Sequence, residues 1–283
     1  MERKRGSYMS IDFQPITATL GAQVSGVDMA SVDGGTLDRL RKAWLDHKVL
    51  VLRDQHITVE EHIAFGRLFG DLEIHPFAPD KAGHPEVVSL TSTSQDQSAA
   101  SFWHSDVTWR QEPSMGSILR GVVLPPAGGD TCFADAGAAY DRLSPEWKER
   151  IDPLVAVHDF TRTFGRDLSR EKRTEKQREY PPARHPVVRT HPDTGKRSIY
   201  TNRIFVSHIE GVSDDESWEI IQYLERQIMN PSVQCRIRWE VDTFVMWDNR
   251  AVQHNAINDY QGESRLMHRI TLEGESLEPF VVS

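Results

Sequence analysis

A histidine and an aspartate two positions apart, His104 and Asp106, are the first residues of this 283-residue chain whose types and spacing could do chemistry. They lie in the run 103–108, whose aromatic and β-branched residues predict an extended segment. In an extended segment, residues i and i+2 share a face and lie about 7 Å apart along the backbone. One imidazole and one carboxylate on one face could hold two adjacent positions of a metal ion. A second histidine from far along the chain would complete a 2-His-1-carboxylate set, which suits non-haem Fe(II) with open positions.

The His-x-Asp pattern occurs a second time, at His191 and Asp193, so the pattern alone does not identify a site. Residues 192–195 there are Pro-Asp-Thr-Gly, which predict a hairpin turn between the strand-like runs 187–189 and 198–200. A turn would splay the two side chains, and we therefore predict a structural role for His191. The candidates for the third ligand share only their residue type, and they are His254, His75, His185 and His268.

Two arginines, Arg265 and Arg269, fall on one face of a predicted strand together with Met267. Strand geometry places the two arginines about 13 Å apart along that face. Guanidinium groups on a semi-buried face need anions, and their planar fork suits carboxylate or sulfonate oxygens. Two interpretations stay open from the residues alone, namely structural ion pairs with acidic side chains or sites for anionic ligands.

Composition narrows the class of protein. The net charge of −9 argues against nucleic acid or an anionic membrane as the main partner. No apolar run approaches the length of a membrane-spanning helix. Residues 1–10 lack a signal-peptide core and are expected to be a disordered tail or a cloning remnant, followed by a single domain over 11–283. Cys132 and Cys235 are too few for a disulfide scaffold, so a cytoplasmic location is expected.

Short strands are the elements that must position these residues. The predicted strands cover residues 16–28, broken at Gly21 and Gly26, and residues 49–52, 117–124, 131–134, 235–239, 244–247 and 266–272. Helices are predicted around 37–45, over 58–70, and from 144 and 213 onward. Strands joined without helical crossovers predict an antiparallel sandwich or jelly roll. The polar stretch 91–101 predicts a mobile loop beside the site, and the charged stretch 161–184 is either a solvated excursion or a lid.

His104, Asp106, His254 and an arginine eleven residues beyond that histidine together resemble the taurine dioxygenase/TfdA family of Fe(II)- and 2-oxoglutarate-dependent oxygenases. Further blocks that resemble this family occur in order at 20–28, 69–76, 103–108, 125–131, 246–250 and 265–271. The resemblance implies a mainly β fold with flanking helices, built as a double-stranded β-helix, which is a cupin-like jelly roll. It also implies Fe(II) as cofactor, 2-oxoglutarate and O₂ as co-substrates, and a homo-oligomer, either a dimer or a tetramer.

The resemblance also implies roles for individual residues. His104, Asp106 and His254 would bind iron, and no separate acid or base is expected. Arg265 would bind the distal carboxylate of 2-oxoglutarate, with Thr131 donating a second hydrogen bond to it. The remaining residues would contact the substrate, and they are His75, Arg269, Phe160 and Phe205.

The implied activity is hydroxylation of a small anionic substrate, with release of succinate and CO₂. Members that use taurine carry polar residues and an aromatic hydroxyl at positions that look like Ala99, Ala100 and Ala78 here. An ammonium without a partner is costly to desolvate, so taurine itself fits poorly. An alkyl sulfonate, an alkyl sulfate ester or another taurine-like anion fits better, and an aryloxyalkanoate is the alternative within the family. A zinc hydrolase and a non-catalytic anion-binding jelly roll are the alternatives from other classes.

Overall fold

The computed structural model describes residues 10–77, 83–93, 99–165, 168–260 and 263–275. Across these ranges the chain forms strands and helices in a mixed order. The strands are β1 (Asp12–Pro15), β2 (Ala22–Ser25), β3 (Val49–Leu52), β4 (Val88–Thr93), β5 (Gly116–Val123), β6 (Thr131–Asp135), β7 (Val155–His158), β8 (Ala183–Pro186), β9 (Val188–Thr190), β10 (Arg197–Ile199), β11 (Val206–Ile209), β12 (Gln234–Ile237), β13 (Phe244–Asp248), β14 (Val252–Ala256) and β15 (Ser264–Leu272). The α-helices are α1 (Gly34–His47), α2 (Val59–Arg67), α3 (Ala136–Asp141), α4 (Pro145–Ile151), α5 (Arg170–Glu179) and α6 (Asp214–Ile228).

The larger sheet has seven strands in the order β1-β2-β3-β13-β5-β15-β4. Its neighbouring strands run antiparallel, except β2 and β3, which are parallel. Because side chains alternate along a strand, each central strand presents apolar residues to both sides. Leu50 and Met246 pack with the apolar residues of α1 and α2 on the outer side. Val51 and Val245 face the interior of the fold.

A second sheet, in the order β12-β6-β14, lies against the inner side of the larger one. Its residues Phe133, Cys235 and Val252 belong to the same buried cluster as Val51 and Val245. Two sheets therefore enclose one apolar interior while helices cover the outside, which is a cupin-like jelly roll. The predicted fold class, mainly β with flanking helices, is confirmed.

Two smaller sheets extend the fold beside α3 and α6. One has the order β11-β7-β8, and the other is the hairpin β9-β10. In that hairpin Arg189 pairs with Ser198, which confirms the turn predicted at 192–195. His191 Nε2 lies 2.9 Å from Asp248 Oδ2 in a buried pair, so this histidine has a structural role.

Only part of the strand predicted over 16–28, broken at Gly21 and Gly26, is a strand. Ala22–Ser25, between the two glycines, forms β2, which pairs with β1 just before the predicted segment, and residues 16–21 form the turn between them. The amide of Ile16 donates to the carbonyl of Gly21 at 2.8 Å, which closes that turn. Gly21 has φ +85°, a conformation that glycine adopts without steric cost. The alternating pattern thus corresponds to a strand only at β2, and the turn at Gly21 folds β2 back onto β1.

Three further predictions concern the N-terminal tail, the loop at 91–101 and the charged stretch 161–184. The expected tail over 1–10 lies almost wholly outside the described residues, as does the middle of the expected loop at 91–101. The charged stretch 161–184 contains α5, none of whose residues is buried.

Cys132 and Cys235 are both free thiols. None of the helices in the described ranges has the length and apolar character needed to cross a membrane.

Candidate metal centre

Three buried side chains converge at one point of the jelly-roll interior. His104, Asp106 and His254 each offer one ligand atom, and these atoms lie within 4.8 Å of one another. Nε2 of His104 lies 3.8 Å from Oδ1 of Asp106, and Nε2 of His254 lies 3.9 Å from the same oxygen. Two imidazoles and one carboxylate facing a common point are a donor set that fits a divalent first-row metal such as Fe(II).

Backbone pairing brings the two histidines together. The amide of His104 donates to the carbonyl of His254 at 3.1 Å, and the reciprocal bond is 2.8 Å. This isolated antiparallel bridge joins the segment before Asp106 to β14. The imidazole of His104 donates from Nδ1 to the Phe102 carbonyl at 2.7 Å, which leaves the Nε2 lone pair facing Asp106. The ring of His254 lies near Phe133 and Trp247, with centroid distances of 5.9 and 4.8 Å.

Asp106 does not share a strand face with His104, so that prediction is wrong. After the bridge at His104 the chain turns over residues 106–109, and Val107 has φ +55°. A positive φ is unusual for a β-branched residue and is held only by its surroundings. The amide of Asp106 donates to Asn249 Oδ1 at 3.1 Å rather than to a neighbouring strand. The turn itself therefore aims the carboxylate at the two histidines.

The charge of Asp106 is well stabilised. Burial alone would raise its pKa, but the positive charge of Arg269 and the hydrogen bond from Ser117 hold that pKa well below its usual range. Arg269 donates from Nη1 to Oδ1 of Asp106 at 2.8 Å. Ser117 donates to the other oxygen, Oδ2, also at 2.8 Å. Burial lowers the pKa of His254 to about 3, so its imidazole is neutral at neutral pH and can ligate a cation.

Arg265 is buried and forms no ion pair with another residue that the structure describes. It is only 6% exposed, and its Nε and Nη2 have no hydrogen-bond partner among the described residues. Its guanidinium lies 5.9 Å from the ring centroid of Trp239, whose indole N–H donates to the Thr131 hydroxyl at 3.0 Å. A guanidinium with unused donors fits a carboxylate, which supplies two acceptor oxygens. The distal carboxylate of a dicarboxylic acid such as 2-oxoglutarate would satisfy it.

A cavity of about 170 Å³ opens onto two of the three candidate metal ligands, His104 and Asp106. His75 and Arg269 supply polar atoms to its wall, and Ala100 lies on the wall as well. The other lining residues are mostly apolar, and they include Phe77, Val88, Leu90, Val107, Trp109, Phe164, Ile204 and Phe205. The cavity therefore has a cationic end near Asp106 and apolar sides.

Two phenylalanines, Phe160 and Phe205, were predicted to contact the substrate. Phe205 lies on the cavity wall, whereas Phe160 does not line the cavity. Phe160 packs behind Phe77 and Trp109, at centroid distances of 5.1 and 5.9 Å. Phe77 takes the wall position instead, because the aromatic cluster here is two layers deep. Ala78 lies outside the described residues, so the comparison with taurine users extends only to Ala100.

A larger cavity of about 460 Å³ lies elsewhere in the fold. Its buried charged groups already have partners: Lys48 pairs with Asp135 at 2.9 Å, and Arg250 pairs with Asp248 at 2.8 Å. The smaller cavity has unused donors and a metal-binding set, so it is the candidate site.

Sequence reasoning missed the residues that support Asp106. Asn249 Oδ1 accepts from the Asp106 amide and from the Trp247 indole, at 3.1 and 2.9 Å. These two donors fix the orientation of the amide and direct its Nδ2 toward Ser117 Oγ, 3.5 Å away. Trp247 and Asn249 lie in the block 246–250, but nothing in the pattern showed that they meet Asp106.

Comparisons with known proteins agree with this geometry. Residues 12–271 match the family described as taurine catabolism dioxygenase TauD, TfdA family. A protein named alkylsulfatase from Acinetobacter baylyi is 35% identical over 275 residues, covering 94% of this chain and 86% of that protein. An alpha-ketoglutarate-dependent sulfate ester dioxygenase from Pseudomonas putida is 34% identical over 277 residues, covering 94% of this chain and 91% of that protein. The crystal structure of a taurine dioxygenase from Burkholderia xenovorans matches with a TM-score of 0.83 and 34% identity, covering 96% of this chain and 92% of that chain.

Proposed function

This chain belongs to the taurine catabolism dioxygenase TauD/TfdA family, and we propose that it is an Fe(II)- and 2-oxoglutarate-dependent dioxygenase that hydroxylates a small anionic substrate. The observation that carries the proposal is the convergence of His104, Asp106 and His254 within 4.8 Å in a buried pocket. When bound, Fe(II) with 2-oxoglutarate and O₂ supplies the oxidising chemistry. The protein's part is to bind, orient and exclude water.

Arg265 is the proposed partner of the distal carboxylate of 2-oxoglutarate. Its unpaired Nε and Nη2 support this role, because a buried guanidinium is stable only when anions or acceptors surround it. Thr131 is the proposed second donor, although its hydroxyl already accepts from Trp239. A hydroxyl can accept one hydrogen bond and donate another, so the two roles are compatible.

His75 and Arg269 are the proposed partners of the substrate's anionic group. Burial lowers the pKa of His75 to about 3, so this residue is neutral at neutral pH. Its Nδ1 accepts from the Phe77 amide at 3.2 Å, which leaves Nε2–H as a donor to an anion. Arg269 uses Nη1 on Asp106, while its Nε has no partner among the described residues. One cation and one neutral donor suit a sulfate or sulfonate oxygen cluster.

The substrate class that we propose first is an alkyl sulfate ester, with alkyl sulfonates second. Two of the relatives have names that refer to sulfate esters or alkyl sulfates. The apolar walls around Leu90, Phe164 and Ile204 suit an alkyl group rather than an ammonium. Hydroxylation of the carbon next to the ester oxygen gives a product that breaks down to an aldehyde and sulfate. Succinate and CO₂ are the other products.

The roles of the two arginines can be separated by spectroscopy. Anaerobic protein with saturating Fe(II) and 2-oxoglutarate should show a weak visible charge-transfer band. We expect Arg265→Ala to lose this band, because the dicarboxylate loses its charge partner, and Arg269→Ala to retain it while the KM for the substrate rises. Arg120→Ala is the matched control, since Arg120 is paired with Asp242 away from the cavity. Loss of the band in both Arg265→Ala and Arg269→Ala, but not in the control, would contradict the assignment.

A screen for released succinate tests the substrate class. Alkyl sulfates, alkyl sulfonates, taurine and aryloxyalkanoates would be compared at equal concentration. We expect sulfate esters to give the highest rate. Taurine far above the others would refute the interpretation of Ala100, and an aryloxyalkanoate in first place would favour the alternative within the family. A metal-dependent hydrolysis that needs no O₂ would point to the zinc hydrolase.

A further inference from the structure

Four buried polar side chains form a second cluster behind the wall of the cavity. This Arg189 cluster consists of His158, His185, Arg189 and Tyr200, which are 0%, 1%, 2% and 3% exposed. The guanidinium carbon of Arg189 lies 5.0 Å from the centre of the Tyr200 ring. The rings of His158 and His185 lie 5.1 Å apart, and they lie 6.0 and 5.8 Å from that of Tyr200. The proposed dioxygenase reaction uses none of these residues.

Each member of the Arg189 cluster carries an unsatisfied polar atom. Nε and Nη1 of Arg189, Oη of Tyr200, Nε2 of His158 and Nδ1 of His185 have no hydrogen-bond partner in the part of the chain that the structure describes. Buried polar groups are rarely left this way, because each loses its hydration without compensation. Five such atoms in one cluster indicate a bound species that meets them.

The neighbouring bonds show which of these atoms are donors. Asn202 accepts from the Phe205 amide through Oδ1, so its Nδ2 donates to Thr108 Oγ1 at 3.2 Å. The Thr108 hydroxyl then donates to His158 Nδ1 at 2.9 Å, which leaves a proton on His158 Nε2. His185 donates from Nε2 to the Arg110 carbonyl at 2.8 Å, so its Nδ1 is an acceptor. Donors on Arg189 and His158 thus outnumber the single histidine acceptor.

Within the described ranges of the chain, no carboxylate contacts Arg189 directly. Asp248 and Glu275 act on it only through space, and Asp248 is already bonded to His191 and Arg250. Arginine keeps its charge even where burial lowers its pKa. A buried cation with no directly bonded carboxylate is strongly disfavoured unless another anion is close by. A water molecule could fill the hydrogen bonds but would not offset this charge.

We propose that the Arg189 cluster binds one small monovalent inorganic anion of the halide class. Arg189 supplies the positive charge, and His158 and Tyr200 add N–H and O–H donors among aromatic rings. The anion would join β7, β8 and the β9–β10 hairpin from inside. His158 of β7 bonds the hydroxyl of Thr108, two residues after Asp106, and Thr108 bonds Asn202, which accepts from the amide of Phe205 on the cavity wall. The anion would thus stabilise the wall of the active site without touching the substrate.

The test is the thermal stability of the whole chain in chloride or bromide against gluconate, at constant sodium and ionic strength. Ligand that binds only the folded state raises the Tm in a saturable way, by roughly 3–6 °C at tenfold above Kd for a chain of this size. We expect this rise in the wild type and its loss in Arg189→Met. Arg120→Met is the matched control, since Arg120 is bonded to Asp242, and it should keep the rise.

Halide could also bind at the active-site arginines, so Arg265→Ala is included and should keep the rise as well. Loss of the halide effect in Arg265→Ala, or its persistence in Arg189→Met, would overturn the proposal. If Arg189→Met does not fold, crystals of the wild type grown in bromide decide. An anomalous peak within hydrogen-bonding distance of Arg189 Nε or Nη1 supports the site, and water alone at that position refutes it.

Discussion

At the scale of single residues, the two oxygens of Asp106 have separate partners. Oδ1 faces both histidines and Arg269, whereas Oδ2 accepts from Ser117 at 2.8 Å. Asn249 bonds the Asp106 amide and lies 3.5 Å from the Ser117 hydroxyl. This arrangement leaves Oδ1 as the oxygen that would ligate the metal. Groups that hydrogen-bond a ligand in this way commonly set its orientation and the affinity for the metal.

Ser117→Ala should therefore weaken Fe(II) binding by about 10- to 100-fold, because Asp106 loses the donor that holds its second oxygen. An anaerobic titration of Fe(II), followed through the charge-transfer band with 2-oxoglutarate, measures this. Ser114→Ala is a matched control, since Ser114 is equally buried but donates to Glu73 at 2.9 Å. Similar losses in the two variants would show a general effect on folding rather than on Asp106.

At the scale of elements, the turn between β13 and β14 determines where His254 lies. Asp248, the last residue of β13, accepts from the backbone and side chain of Arg250 at 2.9 and 2.8 Å. It also pairs with His191 from the β9–β10 hairpin at 2.9 Å. Burial alone would raise the pKa of Asp248, but its bonds with His191 and Arg250 lower it to about 2. One ionised carboxylate thus joins three elements next to the site.

Asp248→Ala should lower the free energy of unfolding by about 3–5 kcal/mol, because a buried guanidinium loses its partner. Urea unfolding monitored by tryptophan fluorescence gives the value. Asp38→Ala on the exposed face of α1 is the control and should change it by no more than about 0.5 kcal/mol. Arg250 also bonds Asp193 at 2.8 Å. A small loss of stability in Asp248→Ala would show that this bond alone compensates the charge of Arg250, which would contradict the prediction.

At the scale of the whole molecule, several histidines are buried in the neutral form. Burial lowers the pKa of His62 to about 3 and that of His185 to about 4. In an unfolded chain both would titrate near 6.5. Their folded-state pKa values are lower, so the unfolded chain binds protons first as the pH falls. Their contribution to stability is complete above pH 6.5 and is lost progressively down to about pH 3–4.

Each such histidine should add a slope of about 1.4 kcal/mol per pH unit to the free energy of unfolding well below pH 6.5. Urea unfolding between pH 7.5 and 4.5 measures the slope. His62→Leu should reduce it by one histidine's share, because that side chain no longer titrates. His208→Asn removes an exposed histidine and should leave it nearly unchanged. Equal slopes in all three proteins would contradict a neutral, buried His62.

The predicted homo-oligomer remains a prediction at this scale.

The local sequence determined much of the chemistry and part of the architecture. The alternation along β15 places Arg265 and Met267 toward the interior, as period two requires. The order of the family blocks identified the metal-binding set and the jelly roll. Such features can be read from the sequence because they depend on the spacing of neighbouring residues or on contiguous motifs.

Tertiary structure decided the rest. It showed how His254 reaches Asp106, through a bridge between residues 104 and 254, whereas residue type and spacing alone left His75, His185 and His268 as equal candidates. It also replaced the expected strand at Asp106 by a turn, moved Phe160 behind Phe77 and brought Ser117 and Asn249 to the carboxylate. These outcomes depend on pairing and packing between segments more than a hundred residues apart in some cases, and periodicity within a segment carries no information about its distant neighbours.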